Sequence, residues 1–204
     1  MLSMLTSVFT TIALGLKDLV APARCLECLQ ENVWLCRDCR TRFSGFSQQC
    51  VVCEAAQSSG RICLECRDET KLYGVLSAGS YSNAAIRRGV HWLKFRGITP
   101  IAEELSALLL PYLPHIAPMK VLSEQAVLIP IPLHTRRQRV RGFNQSDVIT
   151  QSLSRFANIP VSSPLVRTRS THAQATLPHR LRQQNIQNAF AVQKEFIKSF
   201  SDKK

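Results

Sequence analysis

"AVLIPIPLHTRRQRVRGFNQSD", Ala126 to Asp147, is the stretch on which the fold class turns. Its first eight residues form a short apolar run of the kind found in a buried parallel strand, with Pro130 and Pro132 confining it to a strand end. Arg136, Arg137, Arg139 and Arg141 then crowd into six positions. Gly142 permits a backbone geometry that strains other residues. Asn144, with Asp147 three residues later, is a variant of the capping box and opens a helix. Strand, basic loop and helix in that order is the α/β pattern, in which ligands bind at the carboxyl ends of strands and helix N-termini favour anions. Guanidinium forks match phosphate oxygens, so the loop is expected to meet a phosphate-bearing ligand. The plain alternative is a solvated basic loop.

The flanking sequence fits the same class. "LYGVLSAGSY" (72–81) alternates loosely and predicts a strand pair. "NAAIRRGVHWLKFRG" (83–97) predicts a helix capped by Asn83 and stopped by Gly97. In "IAEELSALLL" (101–110), Ile101, Leu105, Leu108 and Leu109 share a helical face, and Pro111 and Pro114 end the helix. "NQSDVITQSLSRFA" (144–157) is a third helix and "IPVSSPLV" (159–166) a further strand, while "AQATLPHRLRQQNIQNAF" (173–190) is polar and helical or irregular. Strands alternating with helices over 72–190 predict an α/β layer.

All eight cysteines precede this region: Cys25, Cys28, Cys36, Cys39, Cys50, Cys53, Cys63 and Cys66. Four successive C-x2-C pairs are strong metal-site spacing, because two thiolates on one tight turn can face a single ion about 2.3 Å away and two such turns close a tetrahedron. Two structural zinc sites follow. Sequential pairing (25, 28, 36, 39 and 50, 53, 63, 66) is the simplest, and an interleaved pairing satisfies the same spacing. A disulfide scaffold would need an oxidising compartment, and iron is the less common occupant of a structural four-sulfur shell. A closed four-cysteine site has no open position for chemistry. A segment of this size has little apolar core, so metal binding should supply its folding energy.

The formal net charge is +12, with 45% apolar and 20% charged residues in 204. Two four-thiolate zinc sites would bring it to about +8, still basic enough to favour an acidic or phosphorylated partner. "MLSMLTSVFTTIALGL" (1–16) has no charged residue and no basic leader. Lys17 and Asp18 interrupt it before the ~20 residues a membrane span needs. We expect a packed apolar helix over 1–21, no membrane span, and a cytoplasmic protein.

"PIPLHTRRQRVRGFNQSD", "RTRSTHAQATL" and "RLRQQNIQNAF", with "WLKFRG" and the eight-cysteine segment, closely resemble the ComF family of the ComFC/GntX type. The resemblance runs from about Pro22 to Phe190 and is most specific at R-G-F-N-Q. It implies a double zinc ribbon over 22–70 and a type I phosphoribosyltransferase-like α/β domain over 71–204, incomplete at its C-terminal end. It implies a role in DNA uptake and natural competence, with phosphoribosyl pyrophosphate (PRPP) and Mg2+ as ligands of a complete site. Arg136, Arg137, Arg141, Gly142, Asn144 and Gln145 would face the pyrophosphate, and Lys94 and Arg96 would add charge nearby. Thr171, Gln174, Arg182 and Asn185 would belong to a mobile covering segment. After "NAF" the family continues into an acidic pair and a Thr-Thr-Gly loop, whereas these residues read "AVQKEFIKSFSDKK". The expectation is a truncated chain with impaired catalysis and no assignable catalytic residue. The other expectation is a zinc-ribbon protein binding single-stranded DNA, with "IRRGVHWLKFR" and "RRQRVR" on phosphates and Trp92, Phe95 and Phe143 as stacking platforms unless they are core. Competence proteins and a second copy of the chain are the remaining expected partners.

Overall fold

The computed structural model describes residues 22–43 and 46–196, so the helix expected over 1–21 lies outside the described residues. The chain opens with two ribbons built alike. In the first, Arg24 bridges Glu31, the Cys25 N–H donates to the Gln30 carbonyl and the Leu29 N–H to the Cys25 carbonyl. In the second, Gln49 bridges Ala56, the Cys50 N–H donates to the Ala55 carbonyl and the Glu54 N–H to the Cys50 carbonyl. Leu29 and Glu54 both take positive φ to make these turns. Each ribbon then has a short helical turn N-capped by its third cysteine: α1 (Arg37–Thr41) after Cys36, and a 3-10 turn (Leu64–Glu69) after Cys63.

The helices follow their caps. In α2 (Ala84–Arg96) the Asn83 side chain accepts from the Ala85 and Ile86 N–H groups, and Gly97 ends the helix at φ 68°. α3 (Ile101–Leu109) runs into a 3-10 turn (Leu110–His115) where Pro111 enters. Its buried residues are Ile101, Ala102, Ser106 and Leu108, so small residues share the face expected of leucines. Ser106 is small enough for α3 to approach α6 (Gln145–Ala157), and its hydroxyl donates to the Ile149 carbonyl at 3.2 Å. Between them lie α4 (Met119–Gln125), which the sequence did not signal, and α5 (Thr135–Arg141). The chain ends with β1 (Leu165–Arg167), α7 (His179–Ile186) and β2 (Phe190–Val192).

The fold is α/β, but its β content is small. β1 and β2 pair antiparallel, Arg167 opposite Phe190. The expected strand over 126–133 is reduced to one parallel bridge, Leu128 with Val161, because Pro130 and Pro132 lack N–H donors. The expected strand over 159–166 splits into that bridge and β1. The strand pair over 72–81 does not form: the buried Gln48 side chain takes a strand neighbour's place, accepting from the Ser77 N–H and donating to the Ser77 carbonyl, both at 2.9 Å. The arginine stretch read as a loop is helix α5, since it holds no residue that breaks a helix before Gly142.

One core spans the first ribbon and the helices. Cys25, Leu26, Leu35 and Phe43 pack with Ala85, Ile101 and Leu108, and Trp34 meets Trp92 edge to face at 6.3 Å. A second core gathers Leu113, Leu122, Ala157 and Ile159, and the second ribbon keeps its own around Cys50, Ile62 and Cys66. Among the described residues no single helix is long and apolar enough to cross a membrane.

Candidate metal centres and anion cleft

The sulfurs gather sequentially. Cys25, Cys28, Cys36 and Cys39 form one group and Cys50, Cys53, Cys63 and Cys66 the other, every sulfur within 4.8 Å of the rest of its group. The Cys28–Cys36 and Cys53–Cys63 sulfurs are 3.6 Å apart. A disulfide needs about 2.05 Å. The edge of a tetrahedron with 2.3 Å zinc–sulfur bonds is about 3.8 Å, so the spacing suits an ion. Backbone N–H groups aim at the sulfurs: Cys36 N–H at Cys25 Sγ and Cys39 N–H at Cys36 Sγ, both 3.4 Å. The charge distribution fits the same chemistry. Burial acts to raise the Cys25 thiol, but N–H bonds from Cys36, Glu27 and Cys28 outweigh it and bring it down to about 6. Burial and the neighbouring sulfurs push Cys39 up to about 12. N–H groups of Cys53, Cys63 and Val52 lower Cys50 to about 6, while the Cys63 side chain and burial raise Cys66. Four thiolates cannot share such a space without a cation between them, and each group can hold a structural zinc ion.

The second feature is a cleft of about 460 Å³ lined by Lys94, Phe95, Arg96, Gly97, Arg137, Val140 and Arg141. It forms because the left-handed Gly97 ends α2 beside α5, bringing "LKFRG" against "RRQRVRG". No carboxylate lines it. Lys94 is held below the ordinary lysine range by burial and by Arg141; Arg141 is lowered by burial and by Arg137. The Arg141 guanidinium lies over the Phe95 ring at 5.5 Å and donates to Gln145 Oε1. Three ion pairs occur among the described residues, Arg24–Glu31, Arg40–Glu104 and Arg155–Glu103, and none involves the cleft. Clustered cations without counter-charges can hold an anion.

The predicted site residues divide. Arg137 and Arg141 line the cleft; Arg136 is exposed on α5, outside the lining. Gly142 is the left-handed C-cap of α5 at φ 83°. Asn144 is buried, donating from Nδ2 to the Ile131 carbonyl and to Asp147 Oδ1 and accepting from the Ser146 N–H. Its side chain is therefore fully engaged within the fold. Trp92 packs on Trp34, whereas Phe95 is 66% exposed.

The segment expected to cover the site is internally bonded. Asn185 Nδ2 donates to the His172 carbonyl and Gln174 Oε1, and Asn185 Oδ1 accepts from the His172 N–H. Gln174 Nε2 donates to the Arg182 carbonyl and Arg182 Nε to the Leu177 carbonyl. Thr171 is buried, and its carbonyl accepts from Arg137 Nη2 at 3.1 Å. Sequence reasoning passed over Arg167 and Arg169, although "RTR" sets two cations side by side where β1 ends at Arg167. Burial, Arg137 and Arg169 all lower the Arg167 guanidinium.

DNA utilization protein YhgH of Escherichia coli (strain K12) is 41% identical over 105 residues, 51% of this chain and 46% of the relative. Competence protein F of Haemophilus influenzae is 42% identical over 66 residues, 32% of this chain and 29% of the relative. Competence protein ComFC of Bacillus subtilis (strain 168) is 28% identical over 152 residues, 71% of this chain and 60% of the relative. The chain spans about half the length of the DNA utilization relatives it matches. No family model and no solved structure matches it.

Proposed function

We propose that the chain is a ComF-family protein, a reading its similarity to DNA utilization and competence relatives supports, and that its cationic cleft binds the pyrophosphate group of PRPP in a protein serving DNA uptake. One observation carries this: Lys94, Arg137 and Arg141 converge on a single cleft with no carboxylate to neutralise them. In phosphoribosyl transfer the bond between the ribose anomeric carbon and pyrophosphate breaks, the carbon becomes cation-like and negative charge grows on the departing oxygen. Fixed cations lower that barrier by placement and electrostatics. Arg137 and Arg141 would supply forked donors and Lys94 a point charge.

Other parts of the transferase chemistry are not in these residues. No side-chain oxygen lines the cleft to hold Mg2+, so no step is assigned to that ion. After Phe190 no acidic pair and no Thr-Thr-Gly loop occurs. The expected behaviour of these 204 residues by themselves is pyrophosphate binding without turnover. The two four-cysteine groups would hold zinc as structural ions, dividing the chain into ribbons over 22–70 and a transferase-like domain over 71–204. Titration calorimetry with pyrophosphate and PRPP tests the cleft: binding should weaken at least tenfold in Arg137→Ala and Arg141→Ala. No binding and no thermal shift at millimolar ligand would refute it.

The exposed Phe95 ring among cations favours a second reading, single-stranded DNA lying along the cleft. Oligonucleotide affinity should then fall steeply with salt, with a slope reduced in Arg141→Ala. Affinity indifferent to salt would exclude it.

A further inference from the structure

Resting on the pyrophosphate reading of the cleft, we infer that Arg167 is a further anion-binding residue, forming with Arg137 and Thr171 a second phosphate subsite beside the first. Arg167 ends β1, next to the chain's departure towards α7, and its guanidinium lies over the Phe190 ring at 5.2 Å. Arg167 Nη2 donates to Thr171 Oγ1, while Arg137 Nη2 donates to the carbonyl of the same threonine at 3.1 Å. Two guanidinium groups from distant parts of the chain therefore meet at one buried residue.

Nothing in the described protein balances them. Arg167 Nε is the one buried side-chain nitrogen or oxygen there without a hydrogen-bond partner, and neither arginine is in an ion pair. Placing two half-buried cations together without an acid is unfavourable unless an anion joins them. Arg169 adds a third charge, although its guanidinium is already engaged with the Asn185 and Gln187 carbonyls. Arg137 also lines the Lys94–Arg141 cleft, so it is common to both places. A ligand with two linked phosphates suits this layout: one phosphate in the cleft, the other between Arg137 and Arg167. A single phosphate would fill only half of it.

Arg167→Met keeps an apolar stem over Phe190 and removes the charge; Arg167→Lys keeps the charge and removes the fork. Titration calorimetry on the whole chain would compare inorganic pyrophosphate with orthophosphate. Wild-type protein should bind pyrophosphate more tightly. Arg167→Met should weaken pyrophosphate about tenfold, towards the orthophosphate value, while orthophosphate binding and the melting temperature hold. Arg167→Lys should fall between. Pyrophosphate affinity unchanged in both variants overturns the subsite while leaving the cleft standing. Equal loss of both anions alongside a lowered melting temperature shows a structural residue and overturns it too. If wild-type protein binds no pyrophosphate, the cleft reading fails first and the subsite with it.

Discussion

Lys94 is half-buried, and burial first and Arg141 second hold its ammonium below the ordinary lysine range. Its charged form is disfavoured by that burial and by Arg141, so a bound anion should raise the pKa and draw in protons. Pyrophosphate affinity should therefore decline as pH rises through the lowered value, at a pH below that of an ordinary lysine. Calorimetry in buffers of different ionisation heat, at pH values below the ordinary lysine range, should register proton uptake that is smaller in Lys94→Met. Equal proton uptake in the two proteins would exclude Lys94 from the site. Asn144 has the opposite character, since its amide is consumed by the fold. Asn144→Ala should cost about 1–3 kcal/mol in urea unfolding by stripping partners from buried groups. Its pyrophosphate binding heat at saturation should stay near wild type. An unchanged stability with abolished binding would mean that Asn144 touches the ligand. The sequence distinguishes these two poorly, because a cap and a ligand contact both call for a short polar residue before a helix.

At the scale of elements, the capped helices α2 and α6 are legible in the sequence, whereas α4, α5 and the strand pairings are not. Asn83, Gly97 and Asn144 announce helix ends through local hydrogen bonds that need no distant partner. A strand needs a neighbour, and the run at 126–133 finds only Val161 on one side, leaving Val127, Ile129 and Ile131 exposed. The ribbons lie between these cases: cysteine spacing gave the ligands, but the repeated turns rest on positive-φ residues, Leu29 and Glu54, that no pattern flags. Gly60 shows how tightly the second ribbon is built. It sits at φ 66°, its carbonyl accepts from the Val75 N–H at 2.8 Å, and an added Cβ would strike the Val75 carbonyl oxygen. Backbone cannot swing aside as a side-chain end can. Gly60→Ala should lower the ribbon's stability by about 1–3 kcal/mol, seen as faster hydrogen exchange at Ile62 and Val75. Exchange as slow as in wild type would mean that the backbone around Gly60 and Val75 takes up the added Cβ without loosening its bridge.

Across the whole molecule, the two four-cysteine groups, each able to hold a metal ion, are joined differently to the elements that form the cationic cleft. The first ribbon shares an apolar core with α2 and α3: Leu26 lies against Gly89, Trp34 against Trp92, and Arg88 donates to the Leu26 carbonyl at 2.6 Å. α2 carries Lys94 and Arg96 to the cleft at its far end. The second ribbon keeps a separate core and meets the body through hydrogen bonds, Gln48 to Ser77 and His115 Nδ1 with the Ser58 carbonyl at 2.7 Å. Since metal binding supplies the folding energy of so small a ribbon, losing the first ion should release part of the core that seats α2. Losing the second should leave that core whole. Cys36→Ser with Cys39→Ser should therefore remove one metal equivalent by native mass spectrometry and weaken pyrophosphate binding at least tenfold. Cys63→Ser with Cys66→Ser should remove one equivalent and leave affinity within about twofold, because its hydrogen bonds to the body turn over to water at little net cost. Equal losses from the two pairs would mean that the ribbons are joined to the helices as one cooperative unit, and that apolar contact in the first core is not what positions the cleft.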